Sequence, residues 1–198
     1  LHSRLRNLLR EMAQPVAVVT SHMPRTSPDD PAYHGATLSS FTSVALSPHP
    51  LVAFSLRVPS RMAASLSNLA LSNAPGAHML VNLLSAPQAP LATLFSRADL
   101  HPRPFHDLGA HWSLSQTGHL PVLHGALGAL ACRVVGPAWR LSELADEGAG
   151  MGISEGVESE LFIARVLSVE DVPLSEDARS EDEAWRLPLL YHRRGYGT

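Results

Sequence analysis

Segments with strand character follow one another along this chain with only turns between them. The clearest is LVAFSLRV (51–58), in which Val52, Phe54, Leu56 and Val58 share one face of an extended chain. The other such segments are PVAVVTS (15–21), residues 35–39, HMLVNLLS (78–85), GALGALACRVVGPAWRL (125–141), ELFIARVLSVEDV (160–172) and LPLLY (187–191). Helical patterns are too few to alternate with every strand, as a parallel sheet would require. The order predicts a mainly β fold with a few α-helices, built as a closed or nearly closed antiparallel barrel.

Three helical patterns accompany these strands. Leucines recur at helical spacing in residues 1–14, which predicts an amphipathic N-terminal helix. A second helix is expected to begin at Ser60, a residue type that caps helix N-termini, and a third lies in PQAPLATLFSRAD (87–99). Residues 172–185 are rich in acidic side chains and are expected to form a surface loop. At 198 residues, the whole chain (1–198) is expected to fold as a single domain.

Composition excludes several classes of protein. All 15 lysine-or-arginine positions hold arginine, which excludes a Walker-type phosphate loop and a Schiff-base lysine. A net charge of −3 argues against a nucleic-acid partner, and no apolar run approaches the ~20 residues that span a membrane. Cys132 is the single cysteine, so we expect no intramolecular disulfide and a reducing compartment, the cytoplasm. The chain starts at Leu1 and not at methionine, so an upstream targeting segment and a mitochondrial location are the alternative.

The segment ATLSSFTS (36–43) contains five hydroxyl residues and no charge. Hydroxyls and exposed backbone N–H groups at an irregular strand end match the edge of a flat heterocycle that has both donors and acceptors. A turn in which Ser and Thr side chains bond to their own backbone explains the same composition. Both interpretations stay open on this segment alone.

One strand later, Ser60 and Arg61 open the second predicted helix. The first turn of a helix presents unpaired N–H groups and a partial positive charge, which attract anions. Ala63 occupies the capping-box position, so no Glu side chain reaches back to the cap. An ordinary N-cap beside a surface arginine is the alternative. A hydroxyl-rich segment and an anion site at two ends of one strand together favour a phosphorylated heterocycle as the ligand.

Two other kinds of site, a metal site and a serine hydrolase site, have weaker support in the sequence. Five histidines lie close together in sequence, at His101, His106, His111, His119 and His124. Their spacing fits no metal-ligand motif, so no metal site is predicted. The segment GISEG (152–156) matches the nucleophile elbow of serine hydrolases, but a strand follows it where a helix is required. We interpret this stretch as a glycine-rich loop.

Five blocks in one order resemble the flavin reductase-like family of FMN-binding split barrels. They are PVAVVTS (15–21), GATLSSFTSVALSPHPLVAFSLRVPSRMAASL (35–66), VNLLSAPQAPLATLFSRAD (81–99), LPVLHGALGALACRV (120–134) and PLLYHRRGYG (188–197). The most specific parts are T-x-S-S-F-T-S-V and the Ser-Arg pair that follows one strand later. The resemblance implies a Greek-key split β-barrel that binds FMN, or FAD, usually as a homodimer with the flavin near the interface.

The same resemblance implies roles for individual residues. Those that would line the isoalloxazine ring are Thr37, Ser39, Ser40, Phe41 and Thr42. Ser60 and Arg61 would hold the phosphate, and Asn82 would lie beside the ribityl chain. The implied reaction is hydride transfer from NADH or NADPH to flavin N5, which requires no catalytic acid or base from the protein. Reduced flavin would pass to a partner oxygenase or be used in place.

The sequence departs from the family in two places. Many members carry Gly-Asp-His near the nicotinamide, and the matching residues here are Val157, Glu158 and Ser159. The family's C-terminal G-R-Y appears as Arg194-Gly195-Tyr196. In a reductase, His192 or Arg194 would then substitute beside the nicotinamide. The alternative is a flavin-binding protein without NAD(P)H turnover, acting as a carrier, a sensor or a specialised oxidoreductase.

Overall fold

A computed structural model describes residues 1–24, 27, 32–97, 100–109, 111–145, 158–174 and 183–198. The strands are β1 (Gln14–Pro15), β2 (Ala17–His22), β3 (Tyr33–Leu38), β4 (Thr42–Ala45), β5 (Leu51–Val58), β6 (Met79–Leu83), β7 (Trp112–Leu114), β8 (Pro121–Leu123), β9 (Gly128–Val134), β10 (Trp139–Arg140), β11 (Glu158–Glu170), β12 (Leu190–His192) and β13 (Gly195–Gly197). The α-helices are α1 (His2–Arg10), α2 (Arg61–Leu71), α3 (Ala89–Ser96), α4 (Pro104–Asp107) and α5 (Leu141–Ala145), with 3-10 segments at Ala86–Gln88 and Glu183–Arg186.

Eight of the described strands form one curled antiparallel sheet. Its order is β3-β2-β6-β9-β11-β5-β4, and β10 pairs with β11. The strands at its two ends, β3 and β4, are joined by only three residues, so the sheet curls until its ends meet. Ser40, in that connection, hydrogen bonds to the backbone of Ser55 on β5. The predicted fold class, a mainly β split barrel with a few helices, is confirmed.

Alternating apolar residues of β5 and β11 fill the inside of the curled sheet. Phe54 and Phe162 are opposite each other in register, fully buried, and stacked with ring centroids 5.6 Å apart. From α2, the buried side chains of Met62 and Leu66 cover this core. The thiol of Cys132 on β9 is fully buried in the same cluster, and this burial raises its pKa to about 12. The alternation predicted for residues 51–58 is the one that β5 adopts.

An aromatic cluster fixes α3 and α4 against the end of the sheet. Phe105 lies at its centre, with its ring centroid 6.1 Å from that of Tyr33 and 5.2 Å from those of Phe95 and Trp112. Phe95 approaches β3 closely because Gly35 has no side chain: a Cβ there would lie 2.6 Å from the Phe95 ring. The cluster therefore holds α3 against β3.

The N-terminal helix is shorter than the predicted 1–14. Pro15 disfavours helical geometry at Gln14, and Gln14 instead pairs with Tyr191 in a small sheet of β1, β12 and β13. Helix α1 buries none of its residues. Of the predicted acidic loop 172–185, residues 175–182 lie outside the described residues. Within the described part of the chain, no helix is long and apolar enough to cross a membrane.

Candidate functional site

A cleft of about 590 Å³ opens where β3 and β5 end and α2 begins. Its described lining residues come from these elements, from α3 and the segment that follows it, from β11 and from the C-terminal hairpin β12–β13. They are Val16, His34, Gly35, Ala36, Thr37, Leu38, Ser39, Ser40, Ser55, Leu56, Arg57, Ser60, Arg61, Met62, Leu94, Phe95, Ser96, His101, Pro102, Pro104, Ser159, Tyr191 and Tyr196. The fold thus brings the predicted hydroxyl segment and the predicted anion site to one cleft.

The hydroxyls of the lining segment differ in their bonds. Thr37 Oγ1 donates to the Ala92 carbonyl at 2.6 Å, and Ser40 Oγ is bonded to Ser55. These two side chains fix β3 to α3 and to β5, as the turn-like interpretation of the segment suggested. Because β3 is an end strand of the sheet, alternate backbone N–H and C=O groups on its outer edge are left for other partners. The cleft therefore offers backbone donors and acceptors together with the half-buried Ser39.

Two of the residues predicted to line the ring, Phe41 and Thr42, are not among the described cleft-lining residues. Phe41 packs against the core of the curled sheet. Thr42 is exposed on β4, and its Oγ1 donates to the Ser43 carbonyl at 3.3 Å. Contact of Phe41 and Thr42 with a ring stays a prediction of the family resemblance.

The second predicted segment forms the start of α2. Ser60 is its N-cap, and Ser60 Oγ accepts the N–H of Ala63 at 3.1 Å. The first-turn N–H groups of Arg61 and Met62 have no partner among the described residues, because the first turn of a helix has no preceding carbonyls to bond to. The Arg61 side chain is exposed. A cap hydroxyl, two N–H groups and a guanidinium thus converge at one end of the cleft, where an anion binds favourably.

Asn82 lies elsewhere, inside the sheet. It is fully buried, its Nδ2 donates to the Val18 carbonyl at 3.3 Å, and its Oδ1 accepts the N–H of Leu123 at 2.9 Å. These bonds connect β6 with β2 and β8. Asn82 is not among the described cleft-lining residues, and its contact with a ribityl chain stays a prediction of the family resemblance.

His34 lines the cleft wall on β3 and has an incomplete set of hydrogen bonds. Only 6% of its surface is exposed, and its Nε2 has no hydrogen-bond partner among the described residues. The pKa of His34 is lowered to about 4, mainly by burial and in second place by the positive charge of Arg61. A hydrogen bond to the His22 carbonyl acts in the opposite direction. The histidine is therefore neutral at physiological pH. No sequence pattern predicted a role for this residue.

The C-terminal hairpin contributes two tyrosines to the cleft. The rings of Tyr191 and Tyr196 lie 5.5 Å apart, and burial raises the pKa of Tyr196 while a hydrogen bond with Ser96 acts in the opposite direction. The residues predicted for the nicotinamide, His192 and Arg194, do not line this cleft. His192 is exposed, and Arg194 lines a separate groove between α1 and the hairpin. Residues next to each other in a strand face opposite sides, which is why Tyr191 and not His192 faces the cleft.

The charged groups of the described cleft lining are all basic or able to become so. They are Arg57, Arg61, His34 and His101, and no described lining residue is acidic. This lining and the start of α2 suit a ligand that carries an anionic group. The outer edge of β3 and the tyrosine rings suit a flat heterocycle. The residues present therefore fit a flavin nucleotide.

The remaining sequence predictions concern residues 152–159 and a metal site. GISEG (152–156) and Val157 lie outside the described residues. Ser159, where many family members carry histidine, lines the cleft, while the Glu158 carboxylate accepts a hydrogen bond from Ser142. In the described ranges, no group of three or more His, Cys, Asp or Glu side chains is placed to hold a metal ion.

Comparisons with known proteins agree with this geometry. The sequence profile of the family described as flavin reductase like domain matches residues 9–198. A similar solved structure is BorF, the flavin reductase component of a bacterial two-component tryptophan halogenase, at 24% identity and a TM-score of 0.65 over 99% of this chain and 96% of that one. Another is the NADH:FAD oxidoreductase SgcE6 of Streptomyces globisporus C-1027, in complex with NAD and FAD fragments, at 22% identity and 0.63 over 100% and 92%. The flavin reductase PheA2 matches at 24% identity and 0.60 over 99% and 96%.

Proposed function

The chain belongs to the flavin reductase-like domain family, and on that premise we propose that it is an NAD(P)H-dependent flavin reductase. FMN or FAD held in the cleft would supply the redox chemistry, hydride transfer from NADH or NADPH to flavin N5. One observation supports this function above the others: the free edge of β3 and the basic, acid-free start of α2 line the same cleft. That pairing matches a ligand with a neutral flat ring at one end and a phosphate at the other.

In this proposal, one end of the cleft binds the phosphate of the flavin nucleotide and the other end binds its ring. The phosphate is bound by Ser60, Arg61 and the first N–H groups of α2, because these groups lie together at the start of that helix. The β3 edge with Ser39 orients the ring through backbone hydrogen bonds. Thr37 and Ser40 act indirectly, because their hydroxyls hold β3 against α3 and β5. The protein's work is binding and orientation, and no side chain is assigned a proton transfer.

The nicotinamide side of the cleft is assigned to the C-terminal hairpin. Tyr191 and Tyr196 offer aromatic surfaces there, and offset or edge-on contacts between aromatic rings are favourable. Because Ser159 lies at the position of the family's histidine, we assign the positioning of a second ring to these tyrosines. We further propose that the reduced flavin is released to a partner oxygenase or halogenase. By its name, BorF is the flavin reductase component of a two-component tryptophan halogenase.

We propose that two copies of the chain associate. Helix α1 has an apolar stripe yet buries no residue, and Leu5, Leu8, Leu9 and Met12 remain between 46% and 65% exposed. The connection that follows β4 also exposes Leu46. Apolar surface of this kind is usually covered by another chain. Sedimentation equilibrium of the wild type should give the mass of a dimer, and a monomer at micromolar concentration would contradict this proposal.

A flavin-binding protein without reductase turnover is the second candidate. The specific observation that favours it is that neither His192 nor Arg194 lines the cleft, so neither replaces the missing family histidine there. Under this alternative the flavin site is intact and the donor nucleotide is not oxidised.

The visible spectrum of the purified protein, loaded with FMN or FAD and then mixed anaerobically with NADH or NADPH, separates these functions. Loss of the flavin absorbance on mixing is expected for a reductase, and the nucleotide that causes it is the donor. A flavin band that persists with both nucleotides would favour the second candidate. No binding of either flavin would overturn both.

A further inference from the structure

A groove separate from the cleft, with a volume of about 450 Å³, lies between α1 and the C-terminal hairpin β12–β13. This volume is within the range of small-molecule sites. Its apolar lining comes from Leu5 and Leu9 of α1, from Met12 after the helix and from the ring of Tyr191. Leu5 and Leu9 are each 46% exposed and Met12 is 56% exposed, so this lining is open to solvent. Tyr191 also lines the cleft, so one ring borders both spaces.

The charged side chains that line this groove are all arginines. Arg6 and Arg10 lie one turn apart on α1, and Arg193 and Arg194 form the turn of the hairpin. No acidic side chain is among the lining residues that the structure describes. Arg193 is paired with Glu11, its Nε lying 2.9 Å from the carboxylate Oε2. The side chains of Arg6, Arg10 and Arg194 form no hydrogen bond or ion pair with any described residue, which leaves three positive charges without a described counter-charge.

Arg194 occupies a backbone position that does not favour arginine. The pairing of His192 with Gly195 leaves a two-residue turn, in which φ is 48° at Arg193 and 67° at Arg194. Left-handed residues at both positions are typical of a type I′ turn, where Asn and Gly are preferred. Besides its ion pair, Arg193 donates its N–H to the Arg10 carbonyl at 3.2 Å, which ties the hairpin to α1. The side chain of Arg194 has no such described contact and lines the groove.

An organic carboxylate complements both properties of the groove. A guanidinium binds a carboxylate through two parallel hydrogen bonds, and an aliphatic chain would cover the leucines. A neutral apolar molecule would leave the arginines without a counter-charge, and an inorganic anion would leave the apolar lining exposed. A second copy that presents the same groove would bring like charges together, which disfavours that contact. Leu8 and Leu46 are not among the described lining residues and stay available to the second copy proposed above.

We propose that this groove binds a carboxylate that carries an aliphatic chain of medium length. The carboxylate pairs with the unpaired arginines, Arg194 among them, and the chain lies on Leu5, Leu9 and Met12. Binding here is separate from the proposed flavin function and does not require flavin. Because Tyr191 borders both spaces, a bound carboxylate contacts a residue of the cleft without occupying the cleft.

The test is a titration of the wild type with sodium octanoate, followed by ¹H–¹⁵N NMR of the backbone amides. We expect saturable shift changes at residues of α1 and of the hairpin β12–β13, and not at the start of α2. 1-Octanol has the same chain without the charge and should give no saturable change over the same concentrations. Octanoate affinity should fall as the salt concentration rises, because exposed charges are screened.

The variant Arg194→Gly separates octanoate affinity from folding. Glycine adopts the left-handed conformation without strain, so the variant should be at least as stable as the wild type in urea denaturation. Its octanoate affinity should fall by roughly threefold to tenfold, because a charge-assisted contact is lost. The matched control is Arg4→Ala, which removes an exposed arginine of α1 that is not among the described lining residues. Octanoate affinity of this control should equal that of the wild type.

Three results would overturn the inference. They are the absence of saturable shifts, shifts centred on the start of α2, which would place octanoate in the cleft, and equal octanoate affinity in the wild type and Arg194→Gly. Without octanoate binding, shifts of α1 and the hairpin that depend on protein concentration would assign the groove to a second copy. Binding to phosphatidylglycerol vesicles in place of octanoate would assign it to a lipid surface. All of these measurements are made without flavin, so a failure here is distinguishable from a failure of the proposed function.

Discussion

Ser40 Oγ lies 2.9 Å from the backbone nitrogen of Ser55 and 3.2 Å from its carbonyl oxygen, so one hydroxyl serves both backbone groups of a single residue. The contact joins the segment after β3 to β5, which lie toward opposite ends of the sheet order. Both serines also line the cleft. The closure of the barrel and the shape of the site therefore depend on the same side chain.

Ser40→Ala should reduce both stability and flavin affinity. Loss of the hydroxyl leaves two backbone groups of Ser55 without this partner, and we expect the free energy of unfolding to fall by about 1–2 kcal/mol. Urea denaturation measures this change, and fluorescence titration measures flavin affinity. The matched control is Ser43→Ala in the same segment, where the exposed side chain makes no hydrogen bond to another described residue, so both quantities should stay near the wild-type values.

Arg61→Ala should weaken FMN binding by about 1.5–3 kcal/mol, the range for a lost charge-assisted hydrogen bond. Riboflavin should bind wild type and variant almost equally, because it has no phosphate for Arg61 to contact. Arg4→Ala, which removes another exposed arginine far from the cleft, serves as the control for net charge. Unchanged FMN affinity in the Arg61 variant would contradict the phosphate assignment.

The Asn82→Ala variant distinguishes a role of Asn82 in the stability of the protein from a role in flavin binding. The variant leaves the buried N–H of Leu123 without its acceptor, so the free energy of unfolding should fall by about 1–3 kcal/mol. FMN affinity of the folded fraction should be close to that of the wild type. Asn68→Ala, an exposed position on α2, should change neither quantity. A selective loss of FMN affinity in the Asn82 variant would instead support the ribityl contact that the family resemblance implies.

Tyr191→Ala should weaken nucleotide binding, whereas His192→Ala should not. Removing an aromatic surface from the cleft is expected to cost roughly 1 kcal/mol of affinity for flavin or nicotinamide. The neighbouring His192 faces away from the cleft and is its matched control. Equilibrium titrations with FMN and with NADH measure both. A larger effect at His192 would place the second ring on the other side of the hairpin.

The stability of the ligand-free protein should fall below pH 6 because of His34. Its pKa is about 4 in the folded protein and near its ordinary 6.5 in the unfolded chain, so between these values the unfolded chain binds more protons. The contribution of neutral His34 to the free energy of unfolding is fully present above pH 6.5. About 3 kcal/mol of that contribution is lost as the pH falls to 4.

Urea titrations of wild type and His34→Asn at several pH values measure this slope, which should be smaller in the variant. His106→Asn is the control, since that side chain is 86% exposed. Parallel slopes for wild type and the His34 variant would contradict the prediction.

The alternation of apolar residues predicted the strands well where one face of a strand is buried. β5 adopts the predicted register, and α2 begins at the predicted cap. The alternation of apolar residues could not predict which way the Asn82 side chain faces, because its strand is buried on both faces. The pairing of this strand with β2 and β9 decides which residues that side chain contacts. The hairpin strand of Tyr191 is three residues long, too short for alternation to reveal its facing.

His34 could not be found from sequence for a different reason. Arg61, whose charge acts on its ring, is distant from it in the sequence and reaches it only because α2 packs against the sheet. Its burial and its unpartnered nitrogen are both tertiary properties. The length of the N-terminal helix was also set from outside the segment, by the pairing of Gln14 with Tyr191.

The buried Cys132 has a consequence for chemical durability. A reduced flavin that meets dissolved oxygen yields hydrogen peroxide, and peroxide attacks thiolates on accessible cysteines. With its pKa raised to about 12 and its side chain enclosed by the core, the single thiol of this chain is almost entirely protonated and out of reach of small oxidants. The protein can therefore generate a reactive oxygen species at its own surface without sulfenic acid forming on its only cysteine.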